Sequence, residues 1–183
     1  MRRVELCVFA LSVVVLAVPA IGQKKEPAAS RPATSQDRIV REVRHELVML
    51  PNYGVFDNLT YRVDGSSVTL TGQVTNPTLK SDAGNVVKRI EDVTKVDNQI
   101  QVLPLSSMDD QIRLAEYRTI YGDPSLSRYA MQAVPPIHII VDTGKVTLEG
   151  VVATQGDKDL AGMRAKTVGG TFAITNNLRT EGK

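Results

Sequence analysis

The chain has 183 residues, a formal net charge of +2, one cysteine, two histidines and no tryptophan. So small a charge excludes the strong basic excess of a dedicated nucleic-acid binder, and a lone cysteine excludes an internal disulfide framework. The length allows one domain or two small ones.

The first residues read as an export signal rather than as fold material. Met1-Arg2-Arg3 is basic, Leu6–Val18 is apolar apart from Ser12, and Pro19-Ala20-Ile21-Gly22 adds a break and small residues. These are the parts of a secretory signal peptide spanning residues 1–22, with cleavage expected after Gly22. The run falls short of the roughly 20 apolar residues that span a bilayer comfortably. An uncleaved anchor is the alternative. Cys7 lies inside the run with no small-residue stretch before it, so it does not read as a lipid attachment site. Removing Arg2, Arg3 and Glu5 leaves a net charge of +1 and no cysteine. Gln23–Ser35 is small, polar and Pro-bearing and reads as a flexible tether.

A first unit is expected over 36–103. Asp37 reads as a helix cap, and Ile39, Val43, Leu47 and Leu50 follow at helical spacing until Pro51-Asn52-Tyr53-Gly54. Leu59, Tyr61 and Val63 alternate in a strand, Asp64-Gly65-Ser66 is a turn signal, and Val68, Leu70 and Val74 mark a second strand. Gly72 inside that strand marks a bulge or a close backbone approach. Leu79, Ala83, Val86, Val87 and Ile90 form a helical stripe, and Val96–Val102 alternates in a last strand. Pro104–Asp109 is a short join.

A second unit, 110–181, repeats this order. Asp110 reads as the cap of a helix carrying Ile112, Leu114, Ala115 and Ile120. Ile137–Asp142 and Lys145–Val152 form a hairpin across Thr143-Gly144. Leu160, Ala161, Ala165 and Val168 line a helix, and Phe172–Arg179 is the last strand. Asp64–Leu103 laid over Asp142–Glu181 without a gap gives eleven identities in forty positions. They include Val68-Thr-Leu-x-Gly72 against Val146-Thr-Leu-x-Gly150, Lys80/Lys158, Gly84/Gly162 and Asn98/Asn176. The fold class is therefore α+β: two tandem αββαβ units, each a three-stranded mixed sheet packed against two helices.

Chemical motifs are sparse. His45 and His138 have neither a second His nor a Cys beside them, whereas a protein zinc site takes three or four ligands. There is no Gly-x-Ser-x-Gly elbow and no phosphate-cradling Gly-rich loop. Asp57, Asp109 and Asp110 read as caps and turns. Asn98 and Asn176 read as partners of backbone groups at a turn or bulge. No catalytic residue, cofactor site, metal site or small-molecule substrate is expected. A hydrolase reading lacks a constellation to support it.

The repeated pentads, together with Val96 and Asn98 in the first unit and Ile174 and Asn176 in the second, resemble the BON domain. The resemblance covers Asp37–Val102 and Asp110–Arg179. Glu91-Asp92-Val93 and Gly169-Gly170-Thr171 replace the Gly-Val pair that BON copies often carry before the last strand's Asn. The resemblance implies an αββαβ fold and a non-enzymatic binding module of the bacterial envelope, as in osmotically induced periplasmic proteins with tandem copies. It also implies association with phospholipid membranes and no shared catalytic residues. The expected partner is anionic phospholipid or an envelope protein. The alternative is a protein-interaction or structural module within a larger envelope assembly.

The two units differ most at Tyr121–Pro136, a longer connection in the second. In the wider stretch Ile112–Pro136, Tyr117, Tyr121, Leu126, Tyr129 and Met131 lie among Arg118 and Arg128, and Tyr beside Arg suits a membrane–water boundary. These seven residues are the expected contact set. The competing reading packs them onto their own domain. Intact-mass measurement of the exported chain is expected to show a protein beginning at Gln23; a mass retaining Met1 would favour the anchor.

Overall fold

The fold was obtained as a computed structural model that describes residues 35–182. The export signal and nearly all of the tether lie outside the described residues. Ser35, at the tether's end, is the first residue of helix α1 (Ser35–Val48), so Asp37 sits in the helix's first turn rather than capping it. Ile39, Val43 and Leu47 are buried along one face of α1, as the four-residue spacing requires. The hairpin β1 (Asn58–Asp64) and β2 (Ser67–Val74) follows in antiparallel register, Val63 opposite Val68. Helix α2 (Pro77–Lys88) starts at Asn76, whose side chain accepts from the Thr78 amide, with Pro77 at the first helical position. Strands β3 (Lys95–Asn98) and β4 (Gln101–Val102) then both run parallel to β2.

The second unit repeats the pattern: α3 (Ser107–Tyr121), a short 3-10 helix (Ser127–Met131), β5 (Ile137–Asp142), β6 (Lys145–Val152), α4 (Gln155–Ala165), β7 (Ala173–Asn176) and β8 (Arg179–Thr180). The sheet orders are β1-β2-β3 and β5-β6-β7, with β4 and β8 adding to the middle strands. Each sheet thus has four strands where three were expected, because the last strand of each unit is broken.

The break has one cause in both units. Gly72 and Gly150 adopt φ values of 116° and 124°. A Cβ there would meet the Asn58 carbonyl oxygen at 2.0 Å and the Pro136 carbonyl oxygen at 1.9 Å. The middle strand bends at this glycine, and the parallel neighbour cannot keep an unbroken ladder beside it. Asn98 and Asn176 close the gap. Their Oδ1 atoms accept from the Ile100 and Leu178 amides at 3.3 and 3.2 Å. Their Nδ2 atoms donate to the Lys80 and Lys158 carbonyls, each at 2.8 Å, tying strand to helix. Those contacts need Gly84 and Gly162, where a Cβ would lie 2.8 and 2.6 Å from the same Nδ2 atoms.

Two separate cores result. Ile39, Val43, Leu47, Leu70, Leu79 and Ile100 belong to the first, and Ile112, Ile120, Ile139, Leu148, Ala161 and Leu178 to the second. Helix α3 departs from expectation. Its cap is Ser106, whose hydroxyl accepts from the Asp109 amide, not Asp110. Asp109 is buried and accepts from the Thr143 and Gly144 amides at 3.0 and 2.8 Å, pinning the helix start to the β5–β6 turn. Leu114 is 47% exposed; the buried stripe runs through Ile112, Arg113, Glu116 and Ile120.

Gly72→Ala and Gly150→Ala are each expected to cost more than about 2 kcal/mol, from backbone strain plus the carbonyl clash. Asn98→Ala is expected to cost about 1–3 kcal/mol through the orphaned Ile100 amide and Lys80 carbonyl. Urea denaturation of each variant checks both.

Candidate functional site

The loop Tyr53–Asp57, between α1 and β1 of the first repeat, packs against the second. Asp57 is buried, and its carboxylate accepts from the Thr75 amide and hydroxyl at 2.7 and 2.9 Å and from the Gly54 amide at 3.2 Å. Held this way, the loop offers the Val55 carbonyl to the Ile139 amide at 2.8 Å, on the free edge of β5. Phe56 meets Tyr117 edge-on at 6.3 Å, and Tyr53 stacks on His138 at 5.6 Å. An exposed strand edge is a template for aggregation, and here part of one repeat covers the edge of the other.

Beside this joint lies an open cleft of about 440 Å³. Arg44, Val48 and Tyr61 line it from the first repeat, and His138, Glu149 and Arg179 from the second. Glu149 accepts from the Asn177 side chain at 2.7 Å. Arg44 and Arg179 form no ion pair among the described residues. His138 is buried, and burial lowers its pKa below the ordinary value, favouring the neutral ring. Arg41, Arg44, His45, Val48 and Met49 continue outward from the cleft as a second, shallower depression on the end of α1, with Met49 68% exposed. The cleft therefore presents guanidinium groups beside apolar side chains. Among the described residues, no group of three His, Cys, Asp or Glu side chains could hold a metal ion.

The expected contact set is scattered by the fold. Tyr121, Leu126 and Tyr129 are buried in the second core, and Tyr117 packs against it half-buried. The Tyr121 hydroxyl donates to the Ile137 carbonyl at 2.6 Å and accepts from the Ile137 amide at 3.2 Å. The Tyr129 hydroxyl accepts from the Ala153 amide at 2.9 Å and donates to Asp157 at 3.0 Å. Arg128 pairs with Asp157 at 2.7 Å. Arg118 is exposed and Met131 is 88% exposed. The longer connection thus does structural work through its tyrosines. The Tyr129 hydroxyl takes the amide that Asp57 takes at the equivalent Thr75 of the first repeat.

The BON domain family model matches residues 35–104 and 126–182. The chain belongs to the BON domain family. The first match takes in α1, and the second begins beyond α3, the helix that carries the buried Arg113 and Glu116. The BON chain is 28% identical over 164 residues to osmotically-inducible protein Y of Escherichia coli (strain K12), covering 87% of this chain and 81% of that relative. Among solved structures, it is similar to the C-terminal domain of CdsD, the structural protein of the type III secretion system of Chlamydia trachomatis. That match has 14% identity and a TM-score of 0.29 over 80% of this chain and 99% of that one. A second CdsD structure matches at 14% identity and a TM-score of 0.28, over 79% and 94%.

The cleft residues were not legible as a set. Arg44 and Arg179 are 135 positions apart in the sequence, and only the joint brings their elements to one opening. The cue available was His138, a polar residue inside the apolar run Ile137–Val141.

His138 supplies a pH prediction. Its folded pKa lies below the unfolded value near 6.5, so its contribution to stability is complete above about pH 6.5 and is lost as pH falls below it. His138→Phe keeps a ring on Tyr53 and removes the proton. Between about pH 7.5 and about pH 5 the variant is expected to lose less stability in urea than the parent.

Proposed function

We propose that this BON pair is an exported, non-catalytic protein of the bacterial envelope that docks on anionic phospholipid, in envelope maintenance under osmotic stress. The observation that carries the lipid reading is the pairing at the α1 end: Arg41, Arg44 and Arg179, without an ion pair among the described residues, beside exposed Val48 and Met49, at the mouth of the cleft. Guanidinium groups recognise phosphate oxygens by paired N–H donation, and neighbouring apolar side chains enter the acyl boundary. Membership of the BON family and the similarity to a protein named osmotically-inducible support the cellular setting. No helix among the described residues is long and apolar enough to cross a membrane, so contact through these elements is peripheral. Of the segment Tyr117–Met131, Arg118 and Met131 remain as surface groups that can add to it.

A second reading, docking of an envelope protein, is favoured by the other end of the second sheet. Phe172 is 82% exposed at the head of β7, an edge strand. Edge strands recruit partner strands through free backbone groups.

Co-sedimentation of the mature chain with anionic vesicles separates the two. Binding is expected at low salt and is expected to weaken several-fold at high salt, because charge attraction between exposed groups is screened. Arg44→Glu with Met49→Ser is expected to abolish it, while Phe172→Ser leaves it unchanged. No binding at low salt would sink the lipid reading.

A further inference from the structure

Helix α3 carries two ionisable side chains into the second core. Glu116 is 0% exposed, and neither of its carboxylate oxygens has a hydrogen-bond partner. It occupies the place that Val43 occupies in the first repeat: Ile39, Val43 and Leu47 correspond to Ile112, Glu116 and Ile120, and all six are buried. One turn earlier, Arg113 is buried too. Its Nη2 donates to the Val141 carbonyl of β5 at 2.7 Å and its Nη1 to Asp110, while its Nε has no partner. A buried carboxylate without a partner is among the costliest groups a core can hold, and a carboxylic acid is far cheaper.

We propose that Glu116 and Arg113 form a pH-operated catch, holding α3 on strand β5 while the Glu116 carboxyl is protonated and freeing it when the carboxyl ionises. The two lie three positions apart on one helical face, within reach of each other through side-chain rotation. The ionised carboxylate draws the guanidinium to itself, and the Arg113–Val141 bond that ties helix to strand is lost. Asp109 still holds the start of α3 to the hairpin turn, so the opening is confined to the helix body.

The surrounding charged groups are committed elsewhere. On α4, Asp157 is held by Thr154, Tyr129 and Arg128, and Arg164 by Asp123. On β5, His138 lies on the face away from the core and Asp142 is exposed beside Thr143. From the Tyr53–Asp57 loop, Asp57 is bound to Thr75 and Gly54. On α3 itself, Tyr121 is bonded to Ile137 and Tyr117 rests against Phe56. Burial alone pushes the Glu116 carboxyl up, to about 7 from the usual 4.5. The folded chain therefore holds a proton that the unfolded chain has released across that window. The folding constant falls as pH rises, by up to about tenfold per pH unit, and levels off above the folded value.

Hydrogen-exchange protection of the mature chain, read per helix at pH values from about 5 to about 8, tests this. Protection in α3 and β5 is expected to fall across that range in the parent while α1 and β1 hold. In Glu116→Gln and in Glu116→Val, which restores the residue type of the first repeat, α3 protection is expected not to fall. An α3 profile unchanged by either substitution would overturn the proposal. Carbon-13 titration of the Glu116 carboxyl in the unsubstituted chain does not depend on the variants folding. A midpoint near neutrality supports the catch, and one in the ordinary carboxylate range overturns it.

Discussion

The architecture of both repeats turns on a glycine in the middle strand. At Gly72 and Gly150 the backbone passes so close to the neighbouring strand's carbonyl that no side chain fits. The strand bends there, and its parallel partner breaks. The break would leave an amide unpaired near the core, and an unsatisfied buried backbone group is costly. Asn98 and Asn176 accept that amide and, with the other end of the same side chain, hold the following helix. Gly84 and Gly162 make room for the amide group. The glycine in the strand, the Asn in the next strand and the glycine in the helix are one device, which is why all three recur in both copies.

On this shared frame the two repeats differ in how they hold their loops and fill their cores. Where the first uses the Asp57 carboxylate to collect a strand-end amide, the second uses the Tyr129 hydroxyl, backed by Asp157 and Arg128. The first loop is thereby left free to reach across and cover the edge of β5. The longer connection of the second repeat turns its tyrosines inward instead. Where the first core has Val43, the second has Glu116. The first repeat is an apolar body whose helix α1 presents arginines outward; the second holds its unusual polarity inside α3.

The segment with the most conspicuous residues and the segment with the most accessible ones are therefore different. Tyr117–Met131 drew attention by composition, but a hydroxyl at the end of a large ring is also a means of satisfying buried backbone groups. The α1 surface, by contrast, looks ordinary in sequence: Arg41, Arg44 and Met49 are typical of a solvated helix face. It gains interest from the neighbouring repeat, which sets Arg179 and His138 across the same opening.

The sequence alone determined the repeat, the order of elements and the hairpin turns, because side-chain period and turn chemistry are local and were written twice. It also marked the Asn pair and the strand glycines as structural. The helix starts were misjudged: Ser106, not Asp110, caps α3, since cap geometry is settled by which hydroxyl meets a free amide. The stripe of α3 was misread because Glu116 and Arg113 are polar, and periodicity counts only apolar residues as buried. Which tyrosines face the core, which strand edge is covered and which arginines share a cleft were decided only by tertiary structure. Each of these depends on contacts between residues distant in the chain, and no local pattern encodes them.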